Sequence, residues 1–186
     1  MNKNSIRKLF IQKRIGLSNT TQIHVSKTIC ETILNLHCYK NSQTIGLYMA
    51  INNEIDISFV WRNAIDNNKQ CYFPKVTDKN SMLFLPANNL ANFTKNKWGI
   101  LEPTTNEISA CPTSKLDLLI LPLVAFDNLG NRIGMGKGFY DKALANNCAT
   151  TLIGVAYDFQ KVPLIKSETW DVKLDIIVTE KMIYSV

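Results

Sequence analysis

From Leu118 to Phe126 the chain carries no polar side chain. A run of this kind, bounded by charged and turn-forming residues, is the signature of a strand buried on both faces of a sheet. It predicts a central strand over Leu116–Val124. A strand without a polar face must be covered twice, and the neighbouring segments supply the covers. Helical patterning is expected over Ser5–Arg14 and over Ser18–Leu36. In the second of these, Ser18 is the expected N-cap, and Ile23, Cys30, Ile33 and Leu34 share one face. Ser58 is expected to cap a short helix carrying Phe59, Val60 and Ile65, and a further helix is expected over Phe139–Ala145. Strands are expected over Thr44–Ile51, Gln70–Phe73, Met82–Leu85, Thr151–Tyr157 and Asp175–Thr179. Alternating strands and helices predict an α/β fold in a single domain over residues 1–186. Its sheet would be mostly parallel, with helices on both faces in a three-layer, Rossmann-like arrangement.

Ligands of such sheets bind beyond the carboxyl ends of the strands. At that end the apolar run passes into Asp127–Asp141, which reads DNLGNRIGMGKGFYD. Gly134, Gly136 and Gly138 alternate there with other residues, between Arg132, Lys137 and the carboxylate of Asp141. Glycines let backbone N–H groups converge on an anion, and the cations add full charge at the same place. A carboxylate beside them suits a divalent cation held against phosphate oxygens. The combination predicts a site for a magnesium–nucleoside triphosphate. It is not a P-loop, because Asn131 stands where the first glycine is required and Gly138 replaces the hydroxyl residue. Nor is it a dinucleotide fingerprint, because Phe139 holds the position of the third glycine. Two blander readings compete with it: a turn between strand and helix, and Asp141 as a helix-start carboxylate.

A net charge of +6 is compatible with polyanionic partners. The basic residues are scattered, without a dense run interleaved with aromatics, so nucleic acid is not expected as a partner. No apolar run is long enough to cross a bilayer, so no membrane partner is expected. The five cysteines, Cys30, Cys38, Cys71, Cys111 and Cys148, form no C-x-x-C pair. That spacing predicts reduced thiols in a cytoplasmic protein and argues against zinc. The histidines, His24 and His37, fall on predicted helices and are expected to stay out of any chemistry. The segment Met1–Cys30 has no acidic residue but carries Lys3, Arg7, Lys8, Lys13 and Arg14. This composition fits a transit peptide. It also fits a basic amphipathic helix burying Ile6, Leu9 and Phe10.

Taken in order along the chain, these pieces resemble the 5-formyltetrahydrofolate cyclo-ligase (methenyltetrahydrofolate synthetase) family. The residues that carry the resemblance are Lys3-x-x-x-Arg7, Asn53-Glu54-Ile55-Asp56, Phe73-Pro74-Lys75 and Trp98-Gly99-Ile100-Leu101-Glu102-Pro103. To these are added the glycine loop ending Phe139-Tyr140-Asp141, and Asp171-x-x-x-Asp175. The resemblance favours the helix over the transit peptide, because family members use that helix to touch ATP. It implies an ATP- and Mg²⁺-dependent ligase that converts 5-formyltetrahydrofolate to 5,10-methenyltetrahydrofolate. ATP would be a co-substrate, with ADP and phosphate released, and the route would pass through a phosphorylated formyl group. A monomer is expected.

Roles follow by matching positions. ATP contacts are expected over Lys3, Asn4, Ser5, Ile6 and Arg7. They are also expected over Arg132, Ile133, Gly134, Met135, Gly136, Lys137, Gly138, Phe139 and Tyr140. Lys137, Arg132 and Tyr140 are the expected catalytic groups. Folate contacts are expected at Ile51, Glu54, Asp56 and Trp98, and along Met135, Gly136, Lys137, Gly138 and Phe139. Asp141 and Asp171 are the expected metal ligands, with Asp175 an alternative to Asp171. Met135, Phe139 and Trp170 depart from the residues commoner in the family at those places.

Overall fold

The computed structural model describes residues 2–77, 81–97, 99–145 and 150–186. Trp98, one of the expected folate contacts, lies outside the described residues, as does Cys148. The helices are α1 (Lys3–Ile15), α2 (Asn19–Asn35), α3 (His37–Asn41), α4 (Ser58–Asp66) and α5 (Phe139–Leu144). The strands are β1 (Thr44–Gly46), β2 (Gln70–Val76), β3 (Met82–Pro86), β4 (Phe93–Lys95), β5 (Leu101–Pro103) and β6 (Leu118–Pro122). They continue with β7 (Ala125–Phe126), β8 (Arg132–Ile133), β9 (Thr151–Val155), β10 (Ile176–Val178) and β11 (Ile183–Ser185).

A seven-stranded sheet in the order β11-β10-β9-β6-β1-β2-β3 forms the centre. β10, β9, β6, β1 and β2 are parallel, and β11 and β3 join antiparallel at the two edges. The apolar run becomes β6, in the middle of the order. Its side chains alternate: Leu118 and Ile120 enter a core with Val25, Ile29 and Ile33 of α2 and Val60 and Trp61 of α4. Leu119 and Leu121 enter a second core with Leu144 of α5, Leu152 and Ile177. Leu118, Leu119, Ile120 and Leu121 are all fully buried, as a strand covered on both faces requires. A third core joins Phe10 of α1 to Val124, Ala125, Ile133 and Ile165. The mostly parallel, doubly covered sheet therefore agrees with the sequence pattern.

Several boundaries differ, each for a local reason. The strand expected over Thr44–Ile51 pairs only over β1; the chain then turns through Asn52 and Asn53, both at positive φ (48° and 58°). The strand expected from Leu116 begins two residues later, because Leu116 closes a 3₁₀ turn over Thr113–Lys115. It stops at Pro122, which has no N–H to offer a ladder. Ser58 does not cap α4: its N–H donates to the carboxylate of Asp56 at 2.8 Å. Ile23 points outward at 70% exposure, and Val25, Ser26 and Ile29 are buried beside Cys30 and Ile33. Ser18 does cap α2, its Oγ accepting the Thr21 N–H at 3.1 Å. In α1 the buried positions are Phe10 and Arg14, whereas Leu9 is 37% exposed. His24 and His37 are exposed on helices. Cys30, Cys38, Cys71 and Cys111 are free thiols.

Candidate active site

A cleft of about 940 Å³ opens where β1 and β6 end. Tyr48, Met49, Ile51 and Glu54 follow β1 on one wall, and Pro122, Leu123 and Val124 form the floor from β6. Lys3 and Arg7 reach in from α1, and the glycine loop crosses from β8 to α5. Glu168, Thr169, Trp170, Asp171 and Val172 also line it, with Asp171 against Lys3. A volume of this size falls within the range of ligand pockets.

The loop has the backbone geometry that its glycines permit. Gly136 has φ +89° and Gly138 φ +67°, both in the left-handed region that disfavours side chains. Gly134 needs no such freedom, and a Cβ there would meet nothing within 4 Å. Arg7 is laid across the loop: its Nε donates to the Gly134 carbonyl at 2.8 Å. A Cβ on Gly136 would sit 3.2 Å from the Arg7 guanidinium carbon. Met135 and Lys137 are exposed in the cleft, and no described residue holds the Lys137 ammonium in a hydrogen bond or ion pair.

Two ion pairs tie the cationic and acidic residues together. Arg132 pairs with Asp141 at 2.7 Å and also donates to the Val172 carbonyl. Lys3 pairs with Asp171 at 3.0 Å. Asp171 also accepts the Glu168 N–H at 2.9 Å, and Asp141 accepts the Val172 N–H at 3.3 Å. Burial works against a charged Asp171, but the Glu168 N–H and the Lys3 ammonium hold its carboxyl below the usual range. Asp175, the alternative ligand, accepts the Leu152 N–H at 2.7 Å and does not line the cleft.

The donor set suits a hard cation. Among the described residues no group of three or more His, Cys, Asp or Glu side chains could hold a metal alone. Asp141 and Asp171 both line the cleft, and each is partly exposed. Mg²⁺ typically takes one or two carboxylates and fills its octahedron with water and phosphate oxygens. These two side chains match that need when a triphosphate completes the shell.

At the other end of the cleft, Glu54 is 8% exposed. Its Oε2 accepts the Ile51 N–H at 3.1 Å, and Oε1 lies 3.6 Å from the Arg14 guanidinium. Burial raises its pKa and Arg14 opposes, leaving the carboxyl pushed up to about 7. Tyr140 shares this end; burial first, then the nearby Glu54, pushes its phenol up, so it stays a neutral donor.

Placement of the expected residues is uneven. Lys3, Arg7, Ile51, Glu54, Arg132, Ile133, every residue from Gly134 to Asp141, and Asp171 line the cleft. Asn4, Ser5, Ile6 and Asp56 do not. Asn4 instead accepts from Arg7 Nη1 at 2.5 Å, and Ile6 packs against the core beside Phe10. Asp56, expected at the folate, opens helix α4 and lines a separate cavity of about 300 Å³. A short acidic residue two before a helical N–H is a natural cap, and that role accounts for it. Tyr48 and, behind Glu54, Arg14 were given no place at the site by the sequence, and Glu102 and Trp170, noted there without a role, also line the cleft. Lys3, Arg7, Phe10 and Arg14 recur at helical spacing on one face of α1, a signal that was present but reads as a solvated basic stripe.

The model of the 5-formyltetrahydrofolate cyclo-ligase family matches residues 1–180. The chain belongs to that family. It is an enzyme of the ligase class, as the resemblance implied. The Haemophilus influenzae 5-formyltetrahydrofolate cyclo-ligase is 35% identical, the alignment covering 95% of each chain. The Escherichia coli K12 cyclo-ligase is 30% identical over 93% of this chain and 97% of its own. The fold matches the 5,10-methenyltetrahydrofolate synthetase of Aquifex aeolicus with a TM-score of 0.87 at 30% identity. That match covers 100% of this chain and 93% of the other. The Mycoplasma pneumoniae synthetase matches with a TM-score of 0.79, covering 97% and 99%.

Proposed function

We propose that the cleft binds Mg²⁺-ATP at the glycine loop and 5-formyltetrahydrofolate toward Glu54, and joins them by phosphoryl transfer. One observation carries this reading: a glycine loop flanked by Lys3, Arg7, Arg132 and Lys137 shares a single cleft with the buried carboxylate of Glu54. The loop N–H groups, Lys3, Arg7 and Arg132 cradle the phosphates. Lys137, free of other partners among the described residues, reaches the group in transfer. Mg²⁺ held by Asp141 and Asp171 would neutralise charge on the phosphate oxygens. Glu54 accepts the 2-amino and N3–H edge of the pterin, a paired-donor edge that a carboxylate matches. Tyr140 keeps its proton and donates into the same space.

The formyl oxygen attacks the γ-phosphorus, and ADP leaves. The amide becomes an iminium phosphate, whose carbon is now electrophilic. N10 of the same folate attacks that carbon and loses its proton, and the C–O bond breaks to release phosphate. Such a transfer asks the protein for positioning and charge neutralisation, with no protein nucleophile.

The test is methenyl-folate absorbance with ATP and Mg²⁺ varied separately. Product should form only when both are present. Asp141→Asn should fold normally yet lose most turnover, regaining part of it at high Mg²⁺. Turnover without ATP would overturn the reading, and full activity of Asp141→Asn at low Mg²⁺ would overturn the metal assignment.

A further inference from the structure

Arg14 is 1% exposed, and an arginine so buried needs a reason. Its Nε donates to the Asn52 carbonyl at 2.8 Å, and Nη1 reaches the Leu123 carbonyl at 3.5 Å. Nη2 has no hydrogen-bond partner among the described residues. It faces Glu54 Oε1 at 3.6 Å, close enough for attraction and too long for a hydrogen bond. Glu54 is anchored through its other oxygen to the Ile51 N–H, so Oε1 is the oxygen left open on the cleft wall. Replacing a buried ion pair by apolar residues is often neutral or stabilising, so stability alone does not explain this one.

The surroundings fix both partners in place. Asn53 Nδ2 donates to the carbonyls of Arg14 and Ile15, at 3.1 and 3.2 Å, tying the end of α1 to the turn that carries Glu54. The Tyr157 hydroxyl holds the Asn53 carbonyl from the far side at 3.1 Å. The titratable groups facing Glu54 are Arg14 from α1, Tyr48 after β1 and Tyr140 from α5. Both phenols are pushed up, first by burial, and stay neutral. Arg14 therefore supplies the positive charge.

We propose that Arg14 is a positioning residue that keeps Glu54 anionic with one oxygen open to the cleft, and so sets the pH below which the cleft loses a ligand edge made of N–H donors. The inference rests on the folate reading of this end of the cleft. An anionic Glu54 accepts two such donors, and a protonated one presents a competing O–H. With the carboxyl near 7, folate affinity should be full above that pH and fall as pH drops through it. Loss of Arg14 removes an influence that lowers the pKa, so the inflection should move upward.

The experiment measures 5-formyltetrahydrofolate affinity by calorimetry across pH, in parent, Glu54→Gln, Arg14→Gln and Arg14→Lys, with ATP affinity as control. The parent should weaken by up to about tenfold per pH unit below its inflection. Glu54→Gln should be weak and flat with pH. Arg14→Gln should bind folate on the order of tenfold more weakly at neutral pH, the effect of about one unit in pKa, and recover at alkaline pH. Arg14→Lys should stay near the parent, and ATP affinity should not follow. An Arg14→Gln loss equal at every pH would mean a merely structural role and overturn the proposal. So would a parent that binds folate with no inflection near neutrality, a result that stands even where Arg14→Gln fails to fold. A parent that binds no folate at any pH overturns the folate reading itself, and the inference with it.

Discussion

At the scale of single residues, the proposed function divides two tasks of the glycine loop between adjacent positions. Gly136 at φ +89° provides close approach, and Arg7 already occupies the space beside its Cα. Gly136→Val would add a β-branched side chain in a left-handed conformation, a cost of at least about 1–2 kcal/mol in strain, and would push against Arg7. Nucleotide binding should fail in calorimetry. Lys137 next to it is exposed, and in the proposed reaction its charge would matter most when charge develops on the transferring group. Lys137→Ala should lower kcat by roughly a hundredfold or more, the cost of about 3 kcal/mol typical for a lost transition-state contact, with ATP affinity little changed. Normal turnover in Lys137→Ala, or parental ATP binding in Gly136→Val, would remove the loop from the phosphate site. The loop was legible in the sequence because glycines and charges stand in contiguous register. Glu54 was legible only through the family's motif. Arg14 was not, because nothing in a basic, acid-free segment distinguishes a buried arginine from a solvated one. Asp56 lies outside the cleft, and a related ambiguity hid this: a carboxylate near a binding motif and a carboxylate at a helix start look identical until the helix is located.

At the scale of elements, α1 serves both ends of the cleft. Its first turn brings Lys3 to Asp171 and its second brings Arg7 to Gly134, while its last carries Arg14 to Glu54. The substitutions Lys3→Ala and Arg7→Ala together should raise the KM for ATP at least about tenfold, two charged contacts at around 1.5 kcal/mol or more each being lost. Folate affinity should be nearly unchanged, since Phe10 and Arg14 still dock the helix. An equal loss of both affinities would mean that the basic residues support only the docking of α1. Long elements with a clear period were readable: β6 from its apolar run, and α2 from its cap and stripe. The short antiparallel pairs β4–β5 and β7–β8, and the edge strand β11, were not. Strands of two or three residues are too brief to show alternation, and tertiary pairing decides them.

At the scale of the whole molecule, the parallel sheet gathers distant segments into one cleft. Residues from 3–7, 48–54, 132–141 and 168–172 meet in the cleft beyond the carboxyl ends of the parallel neighbours β1 and β6. This convergence could be expected from the α/β pattern, since such sheets bind ligands past their carboxyl ends. Which carboxylate would face the phosphates could not: Asp171 reaches the cleft and pairs with Lys3, whereas Asp175 is engaged by the Leu152 N–H of β9, and only tertiary placement separates them. In the proposed reaction the γ-phosphoryl group of ATP passes to the formyl oxygen before the ring closes. Substrate labelled with ¹⁸O in the formyl group tests it directly, by mass analysis of the phosphate released during turnover. One atom of label should appear in each phosphate, because the C–O bond breaks only after that oxygen has bonded to phosphorus. Unlabelled phosphate, with the label released to water while methenyl-folate forms, would contradict it.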